Sequence, residues 1–214
     1  MGQTSGSKSN GKKSKPQLRF ICVTSLAEDQ EVVLASSDDK GALVELGTTA
    51  LRSSLITDWL PATTGDLHLA LREEKNLNPI CHFQYPADTR RALVVLIANA
   101  ETNGYDATVV DPEKAGFVKG SVMIFNFSPH TGQLLLDSKE EKVEAGQQQV
   151  TKPTLAENGM YRMTASYLDA DGKTVSCYDR QVSDNQNSRK FVFLLPDKTM
   201  GLRVLSLPIF GEFE

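Results

Sequence analysis

Arg90-Arg91-Ala92-Leu93-Val94-Val95-Leu96 decides how this chain is read, because it returns 99 positions later as Arg189-Lys190-Phe191-Val192-Phe193-Leu194-Leu195. Five consecutive apolar residues behind a basic pair are strand-sized, and unbroken apolarity implies a strand buried on both faces. Each run leads through a turn into a glycine-led strand, Gly104 to Asp111 in the first half and Gly201 to Pro208 in the second, at an offset of 97. Upstream, Leu18 to Ser25 answers to Ser121 to Ser128 at an offset near 103. Both are followed by an aliphatic strand, Val32-Val33-Leu34 or Leu134-Leu135-Leu136. Gly65-Asp66-Leu67 and Gly159-Met160-Tyr161 open the middle strand of each half. The offsets drift, so what repeats is the order of elements and not the residues themselves.

Outward from these runs, short apolar segments alternate with turn residues every 8–12 positions, the spacing of sandwiches and barrels. Leu67, Leu69 and Leu71 alternate with His68, Ala70 and Arg72, giving a strand with one wetter face. Asp38-Asp39-Lys40-Gly41 and Asp169-Ala170-Asp171-Gly172 supply tight reversals. Ala42 to Leu60 is the one stretch expected to hold a minor helix, although Gly47, Thr48 and Thr49 interrupt it. The fold expected is all-β, two tandem immunoglobulin-like β-sandwich repeats packed together, with about seven strands each. Residues 1–16 form a disordered basic tail, 17–111 the first repeat, 112–118 a connector and 119–214 the second repeat.

The chain carries a net charge of −4. Lys8, Lys12, Lys13 and Lys15 lie in the tail, which leaves 19 basic against 27 acidic residues and a body charge of −8. An acidic body argues against a nucleic-acid groove, and four spaced lysines among Gly and Ser read as a solvated linker. No apolar run reaches the roughly 18 residues of a membrane helix. Residues 2–16 lack the apolar centre of a signal peptide, so a leader removed ahead of Met1 is the expectation for an exported chain. Cys22, Cys81 and Cys177 permit at most one disulfide, and each sits in a strand where a thiol acts as a small hydrophobe.

Chemistry is sparse. His68, His82 and His130 follow no metal-ligand spacing, and Cys81 and His82, adjacent in a strand, point to opposite faces. Ser128-Pro129-His130 sets a hydroxyl near an imidazole, but no glycine-framed elbow surrounds it, and a strand-ending turn is expected. Asp169, Asp171 and Gly172 begin like a calcium loop, yet Lys173, Thr174 and Arg180 stand where ligands and the loop glycine belong, so a hairpin tip is expected. Asn126-Phe127-Ser128 is formally a glycan acceptor at the end of an apolar strand. Trp59, Tyr85, Tyr105, Tyr161, Tyr167 and Tyr178 are the rings from which a sugar-stacking platform would be built, with Tyr161 and Tyr167 on one core stripe with Met163 and Ala165. No catalytic, cofactor-binding or metal-binding residue is assigned.

The stretch from Gly116-Phe117 to Gln133, with Gly120-Ser121, Asn126-Phe127-Ser128 and Gly132, resembles an uncharacterised family of secreted verrucomicrobial β-sandwich proteins. The resemblance extends over most of 17–208 and rests on structural motifs. It implies a cleaved signal peptide, a periplasmic or outer-membrane-associated location and a link to type IV pili. It carries over no functional residue. The first half also resembles domain repeats of bacterial surface proteins. The function expected is therefore that of a non-catalytic envelope interaction protein, linked to type IV pilus assembly, that meets envelope or pilus proteins through edge strands or loops and is open to self-association. A glycan-binding surface module is the alternative, and a hydrolase would need a polar pocket joining His130 or His82 to acidic residues.

Overall fold

The structure, a computed structural model, describes residues 15–209 apart from 155, 157 and 185. The expectation of a disordered tail over 1–16 therefore falls, for residues 1–14, outside the described residues. The described residues form sixteen strands and no helix. The first eight are β1 (Gln17–Cys22), β2 (Gln30–Ser37), β3 (Leu43–Leu51), β4 (Leu60–Pro61), β5 (Gly65–Glu73), β6 (Asn76–Tyr85), β7 (Arg91–Asn99) and β8 (Gly104–Val110). The rest are β9 (Val122–Asn126), β10 (Gly132–Leu136), β11 (Lys139–Val143), β12 (Gln148–Thr151), β13 (Met160–Leu168), β14 (Thr174–Ser183), β15 (Arg189–Asp197) and β16 (Gly201–Ile209).

The chain divides between Val110 and Asp111 into two compact units. Each is a β-sandwich of two four-stranded sheets. Their strand orders are β4-β1-β7-β8 with β3-β2-β5-β6 in the first unit, and β12-β9-β15-β16 with β11-β10-β13-β14 in the second. Adding eight to each strand number of the first unit reproduces the second, so the repeat is one of topology. In both units the opening strand runs parallel to the seventh, β1 beside β7 and β9 beside β15. Eight strands stand where about seven were expected, the shortest being β4 and β12. Leu18, Phe20 and Val94 meet Leu34, Leu67 and Phe83 in one core, and Val122, Ile124 and Val192 meet Leu134, Tyr161 and Met163 in the other. The two apolar runs are buried on both faces: Leu93 and Val95 in β7, and Phe191 and Phe193 in β15, are as inaccessible as the core residues they alternate with.

Two sequence expectations need correction. Ala42 to Leu60 holds no helix; Leu43–Leu51 is an edge strand antiparallel to β2, with Leu46 bulged between the partners of Leu34 and Ala35. Val44, Thr48 and Thr49 fit a pleated surface, and β2 offers backbone partners that a lone short helix would lack. The repeat also aligns one residue away from the match of its apolar runs. Ala92 pairs with Leu18, and Lys190 pairs with Val122, with Val94 and Val192 following on the same inward faces. Lys190 therefore takes the inward place of Ala92, 98 positions on. In a structure of period two that slip exchanges the faces, and it turns a residue read as flanking into one read as interior.

The flanks of the sandwiches are closed by different devices. In the first unit Gly104 opens β8 so close to β6 that a Cβ would lie 2.2 Å from the carbonyl oxygen of Ile80. In the second unit β11 and β12, which lie in opposite sheets, are tied by the buried Glu141 carboxylate, which accepts the Thr151 hydroxyl and the Gln149 amide, while Lys139 Nζ donates to Thr151 Oγ1 at 2.6 Å. Burial alone would push the Glu141 pKa up, but these hydrogen bonds and the Lys139 charge bring it below the usual carboxylate range.

Candidate functional site

The opposite flank of the second unit, between the end of β14 and the strands β15 and β16, is open. It holds a cleft of about 530 Å³ lined by Tyr178, Gln181, Val182, Ser183, Asp184, Ser188, Lys190, Ser206 and Pro208. Register explains the Lys190 position: it alternates with Val192 and Leu194 on the inward face of β15, so its side chain enters the sandwich next to Tyr161 of β13. The connection from β14 to β15 brings Asp184 and Ser188 over it.

The lysine and aspartate side chains are only 4% and 7% exposed, and Lys190 Nζ lies 3.0 Å from Asp184 Oδ2. The ammonium donates its other protons to the Tyr161 hydroxyl at 3.2 Å and the Ser183 carbonyl at 3.1 Å. Ser188 Oγ donates to Asp184 Oδ1. All three ammonium donors thus have acceptors, as a buried cation requires. Burial, with the nearby negative charge of Asp184 and the Tyr178 ring, pushes the Tyr161 pKa up, so the phenol stays protonated. Chemically the cleft combines a desolvated ion pair on its inner wall with hydroxyl, amide and phenol groups at its mouth.

A second polar cluster occupies the outer face of β5 and β6. His68 and His82 are paired across the two strands, and Asp66 Oδ1 lies 2.8 Å from His82 Nε2 and also accepts the Gln84 amide. Ser37 Oγ lies 3.3 Å from His68 Nε2, while His68 Nδ1 has no hydrogen-bond partner among the described residues. The imidazole beside the serine therefore lacks the acid that would orient it. His82 meets an acid, but His82 and Asp66 are each 55% exposed on an open sheet face, not enclosed in a pocket.

The other residues singled out from sequence lie apart from the cleft. Cys22, Cys81 and Cys177 are free thiols. Ser128 Oγ donates to Asn126 Oδ1 at 2.7 Å, and the His130 ring stacks on Tyr167 with centroids 4.6 Å apart, so that pair is a turn. Asn126, 1% exposed, spends its amide on the carbonyls of His130 and Val143, both at 2.8 Å, and is closed to a glycan in the folded chain. Asp169 Oδ1 accepts the backbone amides of Asp171 and Lys173, forming the tip of the β13–β14 hairpin. Among the described residues no group of three or more His, Cys, Asp or Glu side chains is placed to hold a metal ion.

Of the six large rings, Tyr85, Tyr161 and Tyr167 are buried. Trp59 is half-buried with the Arg19 and Arg91 guanidinium groups 4.4 and 5.3 Å from its centroid, Tyr105 is half-buried and bonded to Gln30, and Tyr178 is half-buried at the cleft. Trp59 immediately precedes β4, Tyr105 lies on β8 and Tyr178 on β14 of the second unit. Sequence reading missed Lys190, Asp184 and Ser188; the available signal was a lysine with the right parity to enter a core.

Fold and cleft define the chain as a tandem β-sandwich protein with a polar cleft in its second unit. No family model and no curated protein matches the sequence. No helix among the described residues is long and apolar enough to cross a membrane.

Proposed function

We propose that the chain is a non-catalytic interaction protein of the bacterial envelope that engages its partner through the open flank of the second sandwich, with type IV pilus assembly as its setting. The observation that carries this reading is the local departure of one repeat from the other. The topology is shared, yet the flank that Gly104 closes in the first unit is a polar cleft beside the exposed ten-residue edge strand β14 in the second. A free edge offers backbone hydrogen bonds to an extended segment, and neighbouring pockets give such a contact its selectivity. The polar side chains of the inner wall are engaged with one another, which suits recognition better than turnover. The envelope setting and the pilus link rest on the family resemblance.

The test is site-specific photo-crosslinking in the native host, with the probe at Gln181 or Ser206 in the cleft lining and at Glu140 on β11 as control. An envelope protein captured from the first two positions and not the third is the expected result. Absence of any adduct, together with normal piliation after deletion of the gene, would overturn the proposal.

The glycan-binding reading retains one favourable observation: Tyr178 lines the cleft together with the hydrogen-bonding side chains of Gln181, Ser183 and Ser206. It ranks second because a single half-buried ring is a small stacking surface. Glycan-array binding that is lost in Tyr178→Ala would promote it over the protein-partner reading.

A further inference from the structure

We propose that Lys190 and Asp184 condense to an intramolecular isopeptide bond that fastens the β14–β15 connection to the interior of the second sandwich. Three observations converge on this assignment.

The first is placement. The same fold is built in the first unit with Ala92 at the inward position, so a lysine is not needed to complete the core. Burying an ammonium and a carboxylate costs several kcal/mol per ion, only partly returned by their attraction. A covalent product removes both charges.

The second is geometry. Nζ sits 3.0 Å from Oδ2 and is held there by Tyr161 and the Ser183 carbonyl. The amine is thus hydrogen-bonded to an oxygen of the carboxyl group whose carbon it attacks, and both side chains are nearly inaccessible to water.

The third is the role of Ser188. Its hydroxyl donates to Oδ1, the oxygen that carries negative charge when Nζ adds to the carboxyl carbon, and a fixed donor at that oxygen stabilises the tetrahedral species. A proton passes from Nζ to Oδ2 along the existing hydrogen bond, generating an amine and a carboxylic acid. Nζ then bonds to Cγ with Oδ1 as the oxyanion. Loss of a second Nζ proton to Oδ2 and cleavage of the Cγ–Oδ2 bond release one water. The ammonium's third proton remains on the amide nitrogen, Oδ1 becomes the amide carbonyl, and no oxidant, reductant or co-reactant is consumed.

The experiment is intact-mass measurement of the full chain, denatured after purification, followed by tryptic mapping. A mass lower than the sequence mass by one water is expected, together with a branched peptide joining residues 181–189 to 190–198 through the two side chains. Lys190→Met and Asp184→Ala should each restore the full calculated mass for their sequence. Ser188→Ala should form the bond about tenfold more slowly or worse. A wild-type chain at its full sequence mass, with separate 181–189 and 191–198 peptides, would overturn the proposal. So would an unchanged loss of water in Lys190→Met, which would place the dehydration elsewhere.

Discussion

His68 and His82 stand directly opposite one another on β5 and β6, with ring centroids 4.9 Å apart. Partial burial lowers the His68 pKa, the charge of a protonated His82 lowers it further, and Asp66 works in the other direction. A histidine whose folded-state pKa lies below its unfolded value binds its proton more readily in the unfolded chain. The stability it contributes is complete above the unfolded value, near pH 6.5, and is lost as pH falls through and below that point. The first unit should therefore be less stable at pH 5 than at pH 8. His68→Asn should flatten this dependence, and an NMR titration should place the His68 midpoint below the usual histidine range. A midpoint at or above that range would contradict the account.

Removing one member of the Lys190–Asp184 pair should be far more damaging than removing a surface ion pair. Lys190→Ala strands the Asp184 carboxylate in the interior with neither an ammonium nor an amide link to satisfy it and should cost about 3–5 kcal/mol, whereas Lys190→Ala combined with Asp184→Ser removes that stranded charge and should recover part of the loss. Arg162→Ala, which breaks the exposed pair with Asp179, should by contrast change stability little. Urea unfolding midpoints of the three variants, set against the wild-type chain, check the ordering.

The two glycines Gly104 and Gly172 should respond differently to a methyl group. At Gly104 the new Cβ would overlap the Ile80 carbonyl, a backbone atom that cannot rotate away, so Gly104→Ala should cost about 3 kcal/mol or more. Gly172 has φ near +75° and open space around it, so Gly172→Ala should cost only about 1–2 kcal/mol, the cost of the left-handed conformation. Equal losses in thermal unfolding would mean that the flank of the first unit is looser than the structure has it.

The strands, their order and their duplication were legible because apolar parity and turn residues are local signals. Leu67-His68-Leu69 shows its two faces in the sequence, and Asp169 to Gly172 shows its turn. Leu43 to Leu51 was harder to read, since its leucines fit neither period cleanly and its strand state depends on pairing with β2, a non-local condition. The cleft was hidden for a related reason. A basic residue at the head of an apolar run reads as the boundary of a strand, and only the pairing of Lys190 with Val122 shows that it points inward. Asp184 and Ser188 carry no local mark at all, because they matter only through what the connection folds over.

The three cysteines should behave as masked thiols. Burial raises all three pKa values, and at Cys81 burial together with the Asp106 charge pushes it up to about 11. Little thiolate is then present near neutrality, so alkylation should be slow in the folded chain and complete after denaturation, with Cys81 among the slowest. Thermal midpoints should be the same with and without a reductant. A reductant-sensitive midpoint would indicate a disulfide.

The parallel pairing of β1 with β7 has a consequence for synthesis. As the chain leaves the ribosome, β1 emerges first but its central partner appears only after five intervening strands have been translated. Until then the sheet lacks its middle, and hairpins such as β5–β6 must wait half-covered. Late closure of this kind makes for slow folding and long exposure of sticky strand edges. The second unit repeats the same delay with β9 and β15, so a nascent copy passes through two vulnerable intervals, each ended only when the seventh strand docks on the waiting first and the eighth folds back to cover its other edge.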